Sequence, residues 1–474
     1  DINGKGFLLS PTEANSYITE DKKLKQVIQP FLNGREINES PSQEPSRYVI
    51  NFYDWEEPQA KEYEKCYEIV RAKVYPERQA NNREVYRKYW WRFGERRKAL
   101  YDTIQKYERV LITAATSKYL SFVFKPTNMV FSNATGVVVI SSYSKFSIVQ
   151  STLFYCWLVK NTSTMGSSTL RFSPTDCFEN FPFPLDINHC SKIGSDYYLS
   201  RESTLKILDL GLTDVFNQFH NQNLVTDVEP LEAKAFQKTY GKETWNLYNH
   251  LEVKKEGKIS YVEAVPLILK LRELHKEMDE AVLAAYGWGF DSAQPDKGIN
   301  LRHDFYEVDY LPENDRVRYT IHPDARKEVL KRLLLLNHER FEEEVAQGLH
   351  KKKDVEAYYK QKNEEVPEGL PYSDVKTKSI NAKAKKKAIA ESTKSANPLI
   401  AEEQVTNKPG EEVGMHSKVT VKNLATGVVK KIRIASSKTG QSDMEYETMP
   451  ITEPFALAMF NRKAGSKFKH DGVQ

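Results

Sequence analysis

Between Arg78 and Lys98 the chain reads RQANNREVYRKYWWRFGERRK, eight Lys or Arg and five aromatics in 21 residues against two acids. Guanidinium forks match phosphate oxygens, and aromatic planes suit either bases or apolar packing. A solvated charge run would not carry Tyr86, Tyr89, Trp90, Trp91 and Phe93, which are too costly to leave in water. The pattern points to nucleic acid. Arg78, Arg83, Arg87, Lys88, Arg92, Arg96 and Arg97 are the expected phosphate contacts, which add affinity and salt dependence but read no sequence. The same residues also fit a helix whose aromatics pack inward while its arginines pair with local acids. Trp90, Trp91 and Phe93 are expected in the core, because adjacent tryptophans on a helix cannot share one stacking face.

Reading a sequence needs side chains that reach base edges, typically Arg or Lys on guanine and Asn or Gln on adenine. The segment STMGSSTLRF from Ser163 to Phe172 is small, polar and Gly-containing before an arginine. It is expected to be a loop that enters a groove, with Ser167, Ser168, Thr169 and Arg171 as readers. Tyr143, Ser144 and Lys145 form a second candidate loop. Ordinary solvent loops remain the alternative for both. Arg47 opens a strand and fits an ion-pair partner equally well.

The motifs of catalysis are missing. Methyl transfer from S-adenosylmethionine needs a Gly-rich turn after a strand, and methylation of a base amine needs an Asn/Asp-Pro-Pro-aromatic tetrapeptide; neither occurs. Gly287-Trp-Gly289 follows a helical pattern and Gly4-Lys-Gly6 stands at the start, both ordinary turns. No GxxxxGK[ST] is present. Asp354, Glu356 and Lys360 mimic a nuclease set, but a charged, solvated helix explains them. The ten histidines lack ligand spacing, and the adjacent His189 and Cys190 would not converge on one metal.

These residues need a scaffold, and 474 residues with 40% hydrophobic content can supply two to four domains. No apolar run approaches the roughly 20 residues of a membrane span, and no signal peptide opens the chain. Four separated cysteines with no CxxC pair suggest reduced, buried thiols and a cytoplasmic location. A net charge of +4 makes any nucleic-acid surface a local patch, balanced by acids such as Glu342, Glu343 and Glu344. A chain opening at Asp1 instead of Met is expected to be a segment of a longer one.

The predicted fold class is α+β: a mixed α/β domain over 1–200, a mainly helical domain over 201–350, a charged helix and flexible linker over 351–412, and a small β-rich module over 413–474. Ser10-Pro11-Thr12-Glu13 reads as a capped helix start. Pro30 and Asn33-Gly34 read as loop punctuation. A strand follows at 47–52, then a long helical region over 60–107 broken near Pro76. Short strands are expected at 110–114, 120–124 and 137–140, with a buried helix over 146–159. Phe181-Pro-Phe-Pro184 marks the exit from this mixed region, because proline removes donors and restricts its neighbours. Later helices are expected over 267–286, with Gly287 as a C-cap, and over 323–345, with Leu330, Leu333, Leu334 and Phe341 inward. Residues 418–434 alternate around Ala-Thr-Gly as a hairpin.

Several segments in order resemble the target-recognition and C-terminal regions of large adenine-specific (N6) DNA methyltransferases. These are the catalytic chains of single-polypeptide restriction–modification enzymes and related phage-defence methylases. The matching pieces include Gly4-Lys-Gly-Phe-Leu-Leu-Ser-Pro-Thr-Glu-Ala14, Pro30-Phe-Leu-Asn-Gly34, Pro45-Ser-Arg-Tyr-Val-Ile-Asn-Phe-Tyr-Asp-Trp55 and Trp90-Trp-Arg-Phe-Gly-Glu-Arg-Arg97. Leu170-Arg-Phe-Ser-Pro-Thr-Asp176, Glu179-Asn-Phe-Pro-Phe-Pro184, Leu271-Arg-Glu-Leu-His275 and Met278-Asp-Glu-Ala-Val-Leu-Ala-Ala-Tyr-Gly-Trp288 continue the series to about residue 345.

The resemblance implies double-stranded DNA as partner, a catalytic methyltransferase domain in cis or in trans, and S-adenosylmethionine as cofactor of the parent enzyme, with none held in this chain. A non-catalytic protein scaffold of a defence complex and an RNA-binding protein are the alternatives. Residues 418–465 further resemble the C-terminal domain of bacterial transcript-cleavage elongation factors, which implies a hairpin, a Pro-initiated helix and a protein-docking role.

Overall fold

Ser10 opens the first helix, Pro11–Glu20, as its sequence requires. Its hydroxyl accepts from the Glu13 N–H at 3.2 Å, and the Glu13 carboxylate accepts from the Ser10 N–H at 2.8 Å. The same reciprocal cap recurs at Asn33 and Glu36 for helix Gly34–Glu39, and at Ser260 and Glu263 for helix Tyr261–Ala285. The computed structural model describes residues 5–162, 164–165, 169–290, 298–362, 364–367, 370–371 and 373, with five later strand segments at 402–405, 418–423, 429–435, 447–450 and 467–469. The architecture is α+β, with small sheets packed against many helices.

One apolar core lies over a four-stranded sheet with strand order Leu8–Leu9, Arg47–Ile50, Ile28–Leu32, Val130–Phe131. The first three pair antiparallel and the last joins parallel. Pro30 sits inside a strand, contrary to the loop expected there. Pairing with Val130–Phe131 begins only at Phe31, so the edge of Pro30 facing that strand has no ladder bond to lose.

Helix Glu64–Gln79 covers this sheet with Cys66, Val70, Val74 and Arg78 buried at successive i+4 positions. Pro76 lies in its last turn and does not break it. The breaks fall later. Short helices at Glu84–Lys88 and Lys98–Ile104 flank a non-helical stretch over 89–97, so the basic segment is not one helix.

The second core begins on an antiparallel sheet, Val123–Pro126, Arg109–Ala114, Thr135–Val138, and runs through the helices as far as Leu333. The helix expected over 146–159 is two helices, Tyr143–Gln150 and Thr152–Asn161. Ser151 ends the first and caps the second, its Oγ accepting from the Phe154 N–H. Arg201, 1% exposed on helix Cys190–Leu208, donates to Ser121 Oγ, to Gln150 Oε1 at 2.9 Å and to the Phe122 carbonyl. A buried guanidinium is tolerated because those acceptors are fixed around it.

Helices Tyr261–Ala285 and Pro323–Ala346 extend the predicted spans. Gly287 takes φ +71°, and its N–H caps the Ala284 carbonyl at 2.8 Å. Leu333 is fully buried, while Leu330 and Leu334 are half-buried against the core. Phe181-Pro-Phe-Pro184 is irregular as expected, with Phe181 and Phe183 ring to ring at 5.0 Å.

Near the C-terminus, Lys418–Asn423 and Val429–Ala435 pair antiparallel as the predicted hairpin strands. They belong to a five-stranded sheet in the order 447–450, 429–435, 418–423, 402–405, 467–469. Glu402–Val405 is thus a strand within the segment expected to be linker; its register places Glu402 opposite Lys469 and Gln404 opposite Lys422. The Pro-initiated helix expected over 451–465 lies outside the described residues.

Candidate nucleic-acid interface

The basic segment divides into buried and exposed arginines. Arg78 is 2% exposed, its guanidinium 4.7 Å from the Tyr86 ring and 6.0 Å from Phe7. Arg92 is 5% exposed. Its Nε donates to the Trp55 carbonyl at 2.8 Å and its Nη2 to Glu56 at 2.7 Å, under the rings of Tyr89 and Trp91. These two expected phosphate contacts are therefore internal supports, because a phosphate cannot reach a guanidinium sealed by aromatic rings.

Arg83, Lys88, Arg96 and Arg97 are exposed and Arg87 is half-exposed, its Nη1 donating to the Asn81 carbonyl at 2.6 Å. Trp90 and Trp91 are buried as expected, and Phe93 packs edge-on to Phe7 at 5.2 Å. Arg47 pairs with Glu36 at 3.7 Å and lies over Phe31, the ion-pair role left open by the sequence.

Arg96 also lines a groove of about 910 Å³ between the first sheet and helix Lys98–Ile104. Its floor is an amide network that sequence reading missed. Asn51 Nδ2 donates to Gln29 Oε1 at 3.1 Å, Gln29 Nε2 donates to the Tyr53 hydroxyl, and that hydroxyl donates to the Gln26 carbonyl at 3.1 Å. Asn51 Oδ1 accepts from the Tyr53 N–H at 2.9 Å. These amides bond to one another and so fix Tyr53. The Tyr53 ring stays 36% exposed, 5.2 Å from Trp55, which stacks in turn on Tyr63.

Tyr53 and Arg97 take φ of +52° and +51°, a left-handed backbone uncommon for such side chains. Lys98 is engaged by Asp54 at 3.1 Å and Asp102 at 3.8 Å. The Asp54 carboxyl is held below its ordinary value by Lys98 first, with Arg96 adding to it.

Where the predicted reading segment is described, it holds two strands. Thr164–Met165 and Thr169–Arg171 pair antiparallel, and the second strand also pairs with Thr116–Ser117. Arg171 is exposed, Thr169 is half-buried, and Ser167 and Ser168 lie outside the described residues. Tyr143, Ser144 and Lys145 are not a loop: they form the first turn of a helix capped by Ser142, whose Oγ accepts from the Lys145 N–H. Tyr143 packs inward on Phe124 at 5.3 Å and its hydroxyl accepts from Arg109, whereas Lys145 is exposed. The exposed arginines rest on the first core and the Arg171 strand on the second, so the two expected functions occupy different packing units.

Among the described residues no group of three or more His, Cys, Asp or Glu could hold a metal ion, and no helix is long and apolar enough to cross a membrane. Burial pushes the thiols of Cys66 and Cys156 up to about 12 and those of Cys177 and Cys190 to about 11, which suppresses their nucleophilic form at neutral pH.

Residues 1–185 match the family model described as MmeI, target recognition domain. Among solved structures, a similar chain is that of the Type IIL restriction-modification enzyme MmeI in complex with DNA, at 16% identity and a TM-score of 0.39. That match covers 60% of this chain and 32% of the other, so it spans about a third of that enzyme's chain. No curated protein matches.

Proposed function

With residues 1–185 a target-recognition domain of the MmeI kind, we propose that this chain binds double-stranded DNA and positions it for an adenine-specific methyltransferase of a restriction–modification or phage-defence system. The family match over 1–185 is the observation that carries this reading. Exposed Arg96, at a groove floored by the amide network that fixes Tyr53, agrees with it. Arg83, Arg87, Lys88, Arg96 and Arg97 hold phosphates, and the exposed Tyr53 ring offers an apolar rest for the strand beside them. Arg171, carried on a short strand, reads base edges together with Ser167, Ser168 and Thr169. Transfer of a methyl group from S-adenosylmethionine to the adenine falls to a catalytic domain in cis or in trans, which receives the base flipped from the stack.

Binding of the full chain to a randomised duplex pool, followed by sequencing of the bound fraction across a salt series, tests this. Duplex binding should fall steeply with salt. Arg171→Ala should change the selected sequence, whereas Arg96→Ala and Arg97→Ala should weaken every site by a similar factor. Absence of duplex binding at low salt would overturn the reading in favour of a protein scaffold, and preference for single-stranded RNA would overturn it in favour of an RNA binder.

A further inference from the structure

The C-terminal sheet runs in the strand order Glu447–Pro450, Val429–Ala435, Lys418–Asn423, Glu402–Val405, Lys467–Lys469. Residues directly opposite on neighbouring strands share a face, and every second residue along a strand returns to it. The register therefore sorts the sheet. Lys418 lies opposite Arg433, Thr420 opposite Lys431, and Lys422 opposite Gln404, which in turn lies opposite Lys467. Lys469 lies two positions further on, opposite Glu402. Six Lys or Arg from three strands thus fall on one face, and Glu402 is the one acid among its described positions.

The other face is of a different kind. Val419 opposite Ile432, Val421 opposite Val405, and Ile434 opposite Met449 make it mainly apolar, with Lys430, Glu403 and Glu447 the charged residues placed there. A sheet sorted in this way packs its apolar face and leaves the charged one to solvent or to a partner. Lys418 directly opposite Arg433 is moreover a like-charge pair, which destabilises a sheet unless an anion answers it.

Residues two apart on a strand are about 6.8 Å apart, and neighbouring strands about 4.8 Å. The six cations therefore form a diagonal from Lys418 and Arg433 at one end to Lys469 at the other, about 20 Å along the strands and about 14 Å across them. A long track of one sign fits a regular polyanion better than the compact patch of a protein, where an apolar anchor would stand at the centre. Each strand of a DNA duplex carries a phosphate about every 3.4 Å along the axis, so the track meets several of them. Thr420, Gln404 and Thr448 share the face and are of the polar types that donate to phosphate oxygens. No aromatic residue stands among the described positions of that face, whereas a single-strand platform needs one to stack on.

We propose that this face of the C-terminal sheet binds the phosphate backbone of duplex DNA as a second, sequence-independent grip, carried on residues other than the 1–185 domain. Two grips on one chain raise its apparent affinity, because once one is engaged the other meets DNA at high local concentration. The function proposed above assigns nothing to this sheet.

The full chain carrying Lys418→Gln, Lys422→Gln, Lys431→Gln and Arg433→Gln together tests it. This variant should bind a random-sequence duplex at least tenfold more weakly, and the slope of log affinity against log salt should fall by about 0.9 per lost contact. The sequence that the chain selects should not change. Lys430→Gln, on the opposite face, should alter neither affinity nor slope. Acetylation of lysines in wild type, read by mass spectrometry, covers the case in which the combined variant unfolds: duplex should protect Lys418, Lys422, Lys431, Lys467 and Lys469 and leave Lys430 unchanged. A folded combined variant with wild-type affinity and slope, or protection of the five lysines no greater than that of Lys430, would overturn the proposal. So would weakened binding of polyglutamate with duplex binding intact, which would return this face to the protein-docking role expected from the sequence. If Arg96→Ala and Arg97→Ala have no effect on duplex binding while the combined variant does, the recognition surface falls and this one stands.

Discussion

Arg92 Nε donates to the backbone carbonyl of Trp55 at 2.8 Å, and Trp91 Nε1 donates to the same oxygen at 3.0 Å. One carbonyl thus ties the basic segment to the end of the first sheet. Hydrogen bonds from charged donors in such a setting contribute about 1.5–3 kcal/mol each. Arg92→Ala should therefore lower the melting temperature by several degrees, and Arg92→Lys should recover only part of the loss, because an ammonium cannot span both Trp55 and Glu56. Thermal denaturation checks this; a variant as stable as wild type but defective in DNA binding would show that Arg92 contacts the ligand after all.

The exposed members of the same segment should behave in the opposite way. Arg83→Ala, Lys88→Ala, Arg96→Ala and Arg97→Ala should each change stability by less than about 0.5 kcal/mol. Each that contacts a phosphate should reduce the slope of log affinity against log salt by about 0.9. Fluorescence anisotropy at several salt concentrations measures the slope, and an unchanged slope in all four would remove this surface as the phosphate grip.

What the sequence made legible follows the range of the interaction. The caps at Ser10, Asn33 and Ser260 need only a partner three residues on, and the first was read directly. Arg78 continues the Cys66, Val70, Val74 stripe at i+4 spacing, which places it on the helix's inward face. Arg92 was not readable, since its acceptors belong to Trp55 and Glu56, 37 and 36 positions away, and one is a backbone carbonyl with no side-chain signature. The amide floor under the groove joins Gln29 to Asn51 across two strands, and the left-handed turn at Tyr53 has no glycine to announce it. The 169–171 strand has no local signature, because small residues precede it and its pairing with Thr116–Ser117 is non-local.

Gly194 sets how closely helix Cys190–Leu208 approaches helix Tyr143–Gln150. A Cβ there would lie 2.4 Å from the Tyr143 carbonyl oxygen and 3.2 Å from Ser147 Cβ. Backbone cannot move aside as a flexible side chain can, so the helices would have to separate around Arg201. Gly194→Ala should cost about 1–3 kcal/mol despite its better helix propensity. Urea unfolding measures it, and a neutral or stabilising result would mean that the two helices slide apart without losing core contacts.

Acidification should loosen the second core before the first. Burial lowers the pKa of His220 and, with opposition from Asp279, of His275, below the ordinary value near 6.5. In the unfolded chain both rings take up protons as pH falls through about 6.5, while in the folded chain they do so only at lower pH. The unfolded state then binds more protons, so stability is fully present above that pH and is lost as pH falls from it toward each ring's folded-state pKa, at up to about 1.4 kcal/mol per pH unit for each ring. Asp279 adds a separate, lower window. Burial alone would raise its carboxyl, but His275, His303 at 2.8 Å and the Thr152 N–H at 2.7 Å hold it below its ordinary 3.8. Its contribution therefore persists above that value and disappears only as pH drops further. His220→Phe preserves the stacking on Tyr119 at 5.1 Å and removes one titrating ring. Its melting temperature should fall less than that of wild type between pH 7.5 and 5.5, and parallel curves for the two proteins would show that His220 takes up its proton equally in both states.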